Sequence, residues 1–132
     1  MTAYCTWVPL QPGLAAHVDL DVQDGDTAIA LRTGDVPVLA TPRLIALCEE
    51  AAVQAVDGHI PEGHTTVAMR VQLDHLAPTG VGCRVCAEVR LDKVEGRRVT
   101  FSVSASDHRG LVAAGKVTRV VVDVEKFMEK SG

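Results

Sequence analysis

The strongest constraint on the fold is a series of long segments, starting at residue 64, in which apolar and polar side chains alternate. Alternate side chains of a β-strand point to opposite faces, so each segment predicts a strand with one buried face. Glu95-Gly96 and the sequence DHRG at 107–110 are typical of tight turns, and they join the last three segments into an antiparallel meander. In the first segment, the predicted buried face comprises Thr65, Val67, Met69, Val71, Leu73 and His75.

A single helix is predicted immediately before these strands, over residues 41–56 (TPRLIALCEEAAVQAV). Thr41-Pro42 resembles a helix start, because a threonine hydroxyl can cap the first amides and proline suits the first turn. Glu49 falls among apolar side chains, which is costly unless its carboxylate has a partner or a use. The face opposite the polar side chains comprises Ile45, Cys48, Ala52 and Val56.

A further strand is predicted at about 14–22, and a loop-rich segment connects it to the helix. Together these elements predict a single domain over residues 1–132, of the α+β class. One helix and a long antiparallel sheet with a single apolar face fit the hot-dog fold, in which the sheet wraps around a central helix. Because such a sheet leaves edges exposed, we expect a homodimer or a higher homo-oligomer.

The composition argues against nucleic acid and membranes as partners. The net charge is −4, no run of basic residues occurs, and only 3% of residues are aromatic. No apolar stretch is long enough to span a bilayer, and MTAYCTWVPLQPG lacks the pattern of a secretory signal, so we expect a cytoplasmic protein. We expect no metal site, because only one C-x-x-C occurs among the four cysteines, Cys5, Cys48, Cys83 and Cys86.

Four sequence motifs within residues 38–128 resemble the fluoroacetyl-CoA thioesterase group of hot-dog enzymes. They are A-T-x7-E in ATPRLIALCEE, a strand that ends in histidine in VQLDHLAPTGVG, EGRRVTFSVSASD across a hairpin, and VDVEKF. The resemblance implies a catalytic set of Thr41, Glu49 and His75. Glu49 and His75 are also polar residues at positions where the periodic pattern predicts apolar ones. Two of the three assignments therefore have support that does not depend on the resemblance.

The resemblance implies hydrolysis of an acyl-CoA thioester. Glu49 would activate water or act as nucleophile, His75 would orient or protonate, and Thr41 would be a nucleophile or a hydrogen-bonding partner. Direct hydrolysis and an acyl-enzyme both remain open. The oxyanion donors would be backbone amides at the helix start, or those near Gly80 and Gly82.

Each catalytic candidate has a structural alternative. Thr41 is by default a helix cap, His75 can be a core histidine with satisfied hydrogen bonds, and Glu49 can pair with Arg119 or Arg98 or lie at a dimer contact. At the level of function, the alternative is a non-catalytic module that binds acyl-CoA or another small ligand. A hot-dog enoyl hydratase is disfavoured, because no separate Asp-and-His hydratase motif is evident.

The expected substrate is a small or medium acyl thioester, carried by coenzyme A or by acyl carrier protein, and no cofactor is expected. The group carries aromatic residues before the threonine, whereas this chain has Val36, Val38 and Leu39, so fluoroacetate specificity does not carry over. Arg84 and Arg90 are candidates to meet coenzyme A phosphates. The expected substrate-binding residues are Val38, Ile45, Met69, Leu73, Gly80 and Gly82.

Overall fold

A computed structural model describes residues 10–132 and contains one five-stranded antiparallel sheet with the helix α1 packed on one face. Cys5 lies outside the described residues. The strand order is β1-β3-β4-β5-β2, so β1 and β2 form the edges. The elements are β1 (Ala15–Asp21), α1 (Thr41–Ala55), β2 (His64–His75), β3 (Arg84–Glu95), β4 (Arg98–Asp107), β5 (Gly110–Asp123) and α2 (Val124–Lys130).

The predicted helix and the meander of β3, β4 and β5 are confirmed. Apolar side chains of α1 pack on the inner face of the sheet, most extensively on β1 and β3. Phe101 of β4 is completely buried there, and burial of a side chain of this size contributes roughly 1.5–3 kcal/mol. The short helix α2, which begins at the cap Asp123, was not predicted.

Strand β2 departs from the predicted alternation because it contains a bulge. Ala68 pairs with Arg119 and Arg70 pairs with Thr118, so Met69 is an extra residue. Thr65 and Val67 were predicted on the buried face, but Thr66 is the buried residue in this part of the strand. After the bulge, Val71, Leu73 and His75 turn inward as predicted.

Close contact between β2 and β5 requires a glycine at position 115. A Cβ atom there would lie 1.9 Å from the carbonyl oxygen of Gln72, so any side chain would force the strands apart. Gly115 pairs with Leu73, two residues before His75. The glycine therefore keeps the end of β2 close to the sheet.

Two further predictions concern the cysteines near β3 and membrane-spanning segments. Cys83 was assigned to a strand, but it precedes β3, whereas Cys86 lies within that strand. Among residues 10–132, no helix is long and apolar enough to cross a membrane.

Candidate active site

The first turn of α1 meets the end of β2 through one hydrogen bond. Thr41 Oγ1 lies 2.7 Å from His75 Nδ1, and the tautomer of the imidazole decides which group donates. The other ring nitrogen, His75 Nε2, is buried and has no hydrogen-bond partner within residues 10–132. Within the described residues, one nitrogen of the imidazole is therefore hydrogen-bonded and the other is not.

The hydroxyl of Thr41 is available for this contact because it does not cap the helix. Ala40 occupies the cap position with an extended backbone, and no side chain of residues 10–132 caps the first turn. The prediction of Thr41 as the cap was wrong, because α1 begins one residue earlier than a threonine cap requires. Thr41 is thus the first helical residue, and its side chain turns to His75.

Backbone hydrogen bonds fix both sides of this contact. The amide of Leu39 donates to the carbonyl of Thr79 at 2.8 Å, and Val38 forms an isolated bridge with Gly80. The amide of Leu76 donates to the carbonyl of Val112 at 2.7 Å. Because these bonds lie next to Thr41 and His75, the two side chains meet without a long flexible segment between them and the sheet.

An ion pair anchors the beginning of α1 to the preceding loop. Arg43 Nε lies 3.0 Å from Asp26 Oδ1, and both side chains are mostly buried. Asp26 also accepts a hydrogen bond from the amide of Gln23. The loop that leads to Thr41 is therefore tied to the helix it precedes.

Burial lowers the pKa of His75 from its ordinary value of 6.5, and the nearby backbone of Ala77 opposes part of this shift. The imidazole is consequently neutral at pH 7. A neutral imidazole can accept a proton, which is what a general base requires.

A cavity of about 350 Å³ opens beside Thr41 and His75. Most of its wall is apolar, and this volume lies at the lower end of the range for small-molecule sites. Side chains of the loop before α1 and of the segment after β2 form this wall. The apolar residues among them include Val36, Val38, Leu39, Leu76, Ala77 and Pro78.

Glu49 lies elsewhere on α1 and has a partner of its own. Arg119 Nη1 donates to Glu49 Oε1 at 2.8 Å, and the guanidinium also donates to Thr66 through Nε at 3.0 Å and Nη2 at 2.9 Å. The side chain of Arg119 is 8% exposed and that of Glu49 is 29% exposed. The ion pair compensates both charges in this partly buried position.

The structure brings some of the predicted site residues together and leaves others apart. Thr41, His75 and Val38 line the cavity, and Gly80 is paired with Val38. Glu49 is eight residues beyond Thr41, or about 12 Å along a helix axis. Ile45, Met69, Leu73 and Gly82 do not line this cavity, and Met69 is 48% exposed at the bulge.

Sequence reasoning considered Arg119 only as one of two possible partners of Glu49. A stronger signal was present, because Arg119 interrupts the apolar phase of Val117 and Val121 in β5, as Glu49 does in α1. The loop residues Ala28, Thr33 and Gly34 were missed as cavity residues. Their segment has no periodicity from which a direction could be read.

Comparison with known proteins shows the family. The model of the fluoroacetyl-CoA-specific thioesterase family matches residues 22–125. The chain is 33% identical over 93 residues to the fluoroacetyl-CoA thioesterase of Streptantibioticus cattleyicolor, covering 70% of this chain and 67% of that protein.

Two solved structures show the same fold. A mutant of a fluoroacetyl-CoA-specific thioesterase in complex with fluoroacetate and CoA superposes with a TM-score of 0.83 and 29% identity, covering 89% of this chain and 99% of that one. A hot-dog-like protein from Thermanaerovibrio acidaminovorans gives 0.85 and 29%, covering 99% and 95%. The predicted hot-dog fold is confirmed, and the chain belongs to the fluoroacetyl-CoA-specific thioesterase family of thioester hydrolases.

Proposed function

We propose that the protein hydrolyses a small or medium acyl-CoA thioester to the free acid and CoA, at the cavity beside Thr41 and His75. The observation that carries this proposal is the 2.7 Å contact between Thr41 Oγ1 and His75 Nδ1 at an apolar cavity. Nε2 of the same ring is buried and has no partner among residues 10–132. A hydroxyl and a neutral imidazole in this geometry form the nucleophile and base of an acyl transfer.

In this mechanism, His75 accepts the proton of the Thr41 hydroxyl as its oxygen attacks the thioester carbonyl. Backbone amides at the start of α1 are candidate donors to the resulting oxyanion, since the first amides of a helix have no partner within it. Collapse of the intermediate releases CoA as a thiolate, and water then attacks the acyl group on Thr41. Direct attack by water, with Thr41 only orienting the imidazole, is the alternative route, and trapping of an acyl-Thr41 species distinguishes them.

Glu49 enters this proposal through a second copy of the chain. Within one chain it is about 12 Å along α1 from Thr41 and bonded to Arg119. Its side of the helix is apolar and partly uncovered, with Val53 46% exposed, and β2 is an edge strand of the sheet formed by the described residues. We therefore propose a homodimer in which Glu49 of each copy, held by Arg119, faces the cavity of the other.

The dimer proposal has a sharp test. Two inactive variants, His75→Ala and Glu49→Ala, are unfolded together, refolded as a mixture and assayed for turnover. About one quarter of wild-type activity should return. Random mixing makes half of the dimers heterodimers, and each heterodimer has one intact site out of two. A mixture that stays inactive would show that Glu49 acts within its own chain, and a monomer in sedimentation would remove the dimer altogether.

The apolar wall and the volume of about 350 Å³ support a short or medium acyl group. We propose CoA rather than acyl carrier protein as the carrier, because a solved relative of this family binds CoA.

The deciding experiment measures thiol release from short, branched, aromatic and fluorinated acyl-CoAs by the protein and by its Glu49→Ala variant. Turnover of at least one member that the variant loses would establish the proposed reaction. A variant of the exposed neighbour Glu50, Glu50→Ala, is the matched control and should retain the activity.

A non-catalytic acyl-CoA binding module is the second candidate. The Glu49–Arg119 ion pair favours it, because a carboxylate that is fully engaged by an arginine also suits a purely structural role. Tight binding of acyl-CoA with no thiol release from any member of the panel would identify the module and overturn hydrolysis.

A further inference from the structure

A second candidate site lies on the outer face of the sheet, which is turned away from α1. Here β2, β4 and β5, together with the last residue of β3, form a depression of about 220 Å³. Two threonine hydroxyls, three cationic side chains and one carboxylate contribute to its lining. They are Thr100, Thr118, Arg70, Arg98, Lys116 and Glu95.

Strand register places the two threonines at the centre of the cations. Thr118 pairs with Arg70 on one side and with Thr100 on the other, and Thr100 pairs in turn with Lys93 of β3. Directly paired residues share a face of the sheet, as do residues two apart on one strand. Arg98 and Lys116 are each two residues from a threonine, on opposite sides of this row.

The cations of the depression form no ion pair within the described chain, although Glu95 is the strand partner of Arg98. The ion pairs found among residues 10–132 engage Arg43, Arg84, Arg90 and Arg119, but not Arg70, Arg98 or Lys116. Like charges on neighbouring strands repel each other and destabilise a sheet. Three cations against one carboxylate, in a chain of net charge −4, therefore form a local positive site that an anion would stabilise.

The donors fit one kind of anion. Arginine binds oxyanions with two parallel N–H groups, lysine adds a point charge, and a hydroxyl donates one further hydrogen bond. A tetrahedral dianion has enough oxygens to use donors from three strands at once, whereas a carboxylate has two. We propose that this depression binds a phosphate group through Arg70, Arg98 and Lys116, with Thr100 and Thr118 beneath it.

The test titrates inorganic phosphate into the full-length protein at low ionic strength and follows backbone amide NMR signals. We expect saturable shifts at Thr100 and Thr118, and at least about a tenfold loss of affinity in the double variant Arg98→Gln/Lys116→Gln. A matched control, Arg109→Gln/Lys130→Gln, removes the same charge from exposed positions outside the depression and should bind phosphate as the wild type does.

A second variant separates a specific site from diffuse attraction. Thr100→Val/Thr118→Val keeps all the charges but removes both hydroxyl donors, so it should also weaken phosphate binding. Equal weakening by the control pair, no effect of the threonine variant, or shifts that never saturate would each overturn the proposal.

The phosphate can belong to CoA or to a separate ligand, and kinetics distinguish these sources. The first source depends on the proposed function. If the phosphate is that of CoA, Arg98→Gln/Lys116→Gln should raise KM for acyl-CoA but not for the same acyl-pantetheine, which lacks phosphate. If it is separate, both KM values should stay unchanged while phosphate binding is lost. Because phosphate binding is measured without turnover, an inactive protein would refute the proposed hydrolysis alone.

Discussion

Helix α1 carries two polar pairs that differ in how completely their hydrogen-bonding groups are used. At its first turn, Thr41 and His75 form a neutral pair in which Nε2 of the imidazole stays buried and unpartnered within the described chain. Two turns later, Arg119 donates once to Glu49 and twice to Thr66. The first pair leaves one ring nitrogen without a partner among residues 10–132, whereas the guanidinium of the second pair is bonded to Glu49 and Thr66.

This difference separates two uses of polar groups in an apolar setting. A buried nitrogen without a partner is costly, so its retention beside a cavity indicates a site that a reactant completes. A compensated ion pair costs less and fixes geometry. We therefore expect changes at the first pair to affect turnover more than stability, and changes at the second to affect stability as well.

The largest expected effect is the loss of turnover in His75→Ala. Removal of a positioned general base should lower kcat by about 10²–10⁴-fold. The exposed His108→Ala is the control and should retain wild-type kcat. Steady-state kinetics of thiol release provide the measurement, and unchanged kcat in His75→Ala would contradict the proposed role.

Breaking the second pair should chiefly lower stability. Arg119→Met leaves the carboxylate of Glu49 without its cation, and we expect a loss of about 2–3 kcal/mol in the free energy of unfolding, less than for a fully buried pair because Glu49 is 29% exposed. Urea denaturation measures this loss. The double variant Arg119→Met/Glu49→Gln should lose less than the sum of the two single variants. Additive losses would show that the two side chains are not coupled.

The pH dependence should reflect the neutral imidazole. Because burial lowers the pKa of His75 below 6.5, the acid limb of kcat/KM should have its midpoint below that value. The unfolded chain binds this proton more readily than the folded one. The contribution of His75 to the free energy of unfolding is therefore fully present above pH 6.5, and it is lost as pH falls toward the lower pKa of the folded state. Thermal unfolding of wild type and His75→Asn between pH 5 and pH 7 isolates this contribution, and parallel curves would contradict it.

The smallest expected effect is on stability in Thr41→Val. Since the Thr41 hydroxyl does not cap α1, its removal should change the free energy of unfolding by no more than about 0.5 kcal/mol. Turnover should nevertheless fall, and Thr41→Ser should restore much of it. A loss of about 1 kcal/mol or more, measured by urea denaturation, would indicate that the hydroxyl stabilises the helix after all.

Sequence reasoning succeeded where periodicity carries the information. The apolar stripe of α1 and the alternation of the last three strands predicted both the elements and their order. The polar exceptions in these patterns, Glu49 and His75, were found for the same reason. The pairing of Glu49 with Arg119 was left open because periodicity gives a face but no partner across the sheet.

The errors arose where geometry depends on a single residue. Nothing in the alternation of β2 marks Met69 as extra, so the faces of Thr65, Val67 and their neighbours were inverted before the bulge. Thr41 was assigned to the cap because threonine favours that position, but its hydrogen bond with His75 could not be seen without the fold. The loop before α1, which forms much of the cavity wall, has no repeating pattern to interpret.

Because of the bulge at Met69, the face on which the side chains of β2 lie depends on whether residues are lost or gained in odd or even numbers. Thr66, which accepts hydrogen bonds from Arg119, and His75, which contacts Thr41, are nine positions apart, an odd interval, yet lie on the same face. Loss of one residue between them that removes the bulge would send one of these side chains to the outer face, whereas loss of two would preserve both orientations. During evolution, this strand can therefore shorten or lengthen in steps of two far more readily than in steps of one.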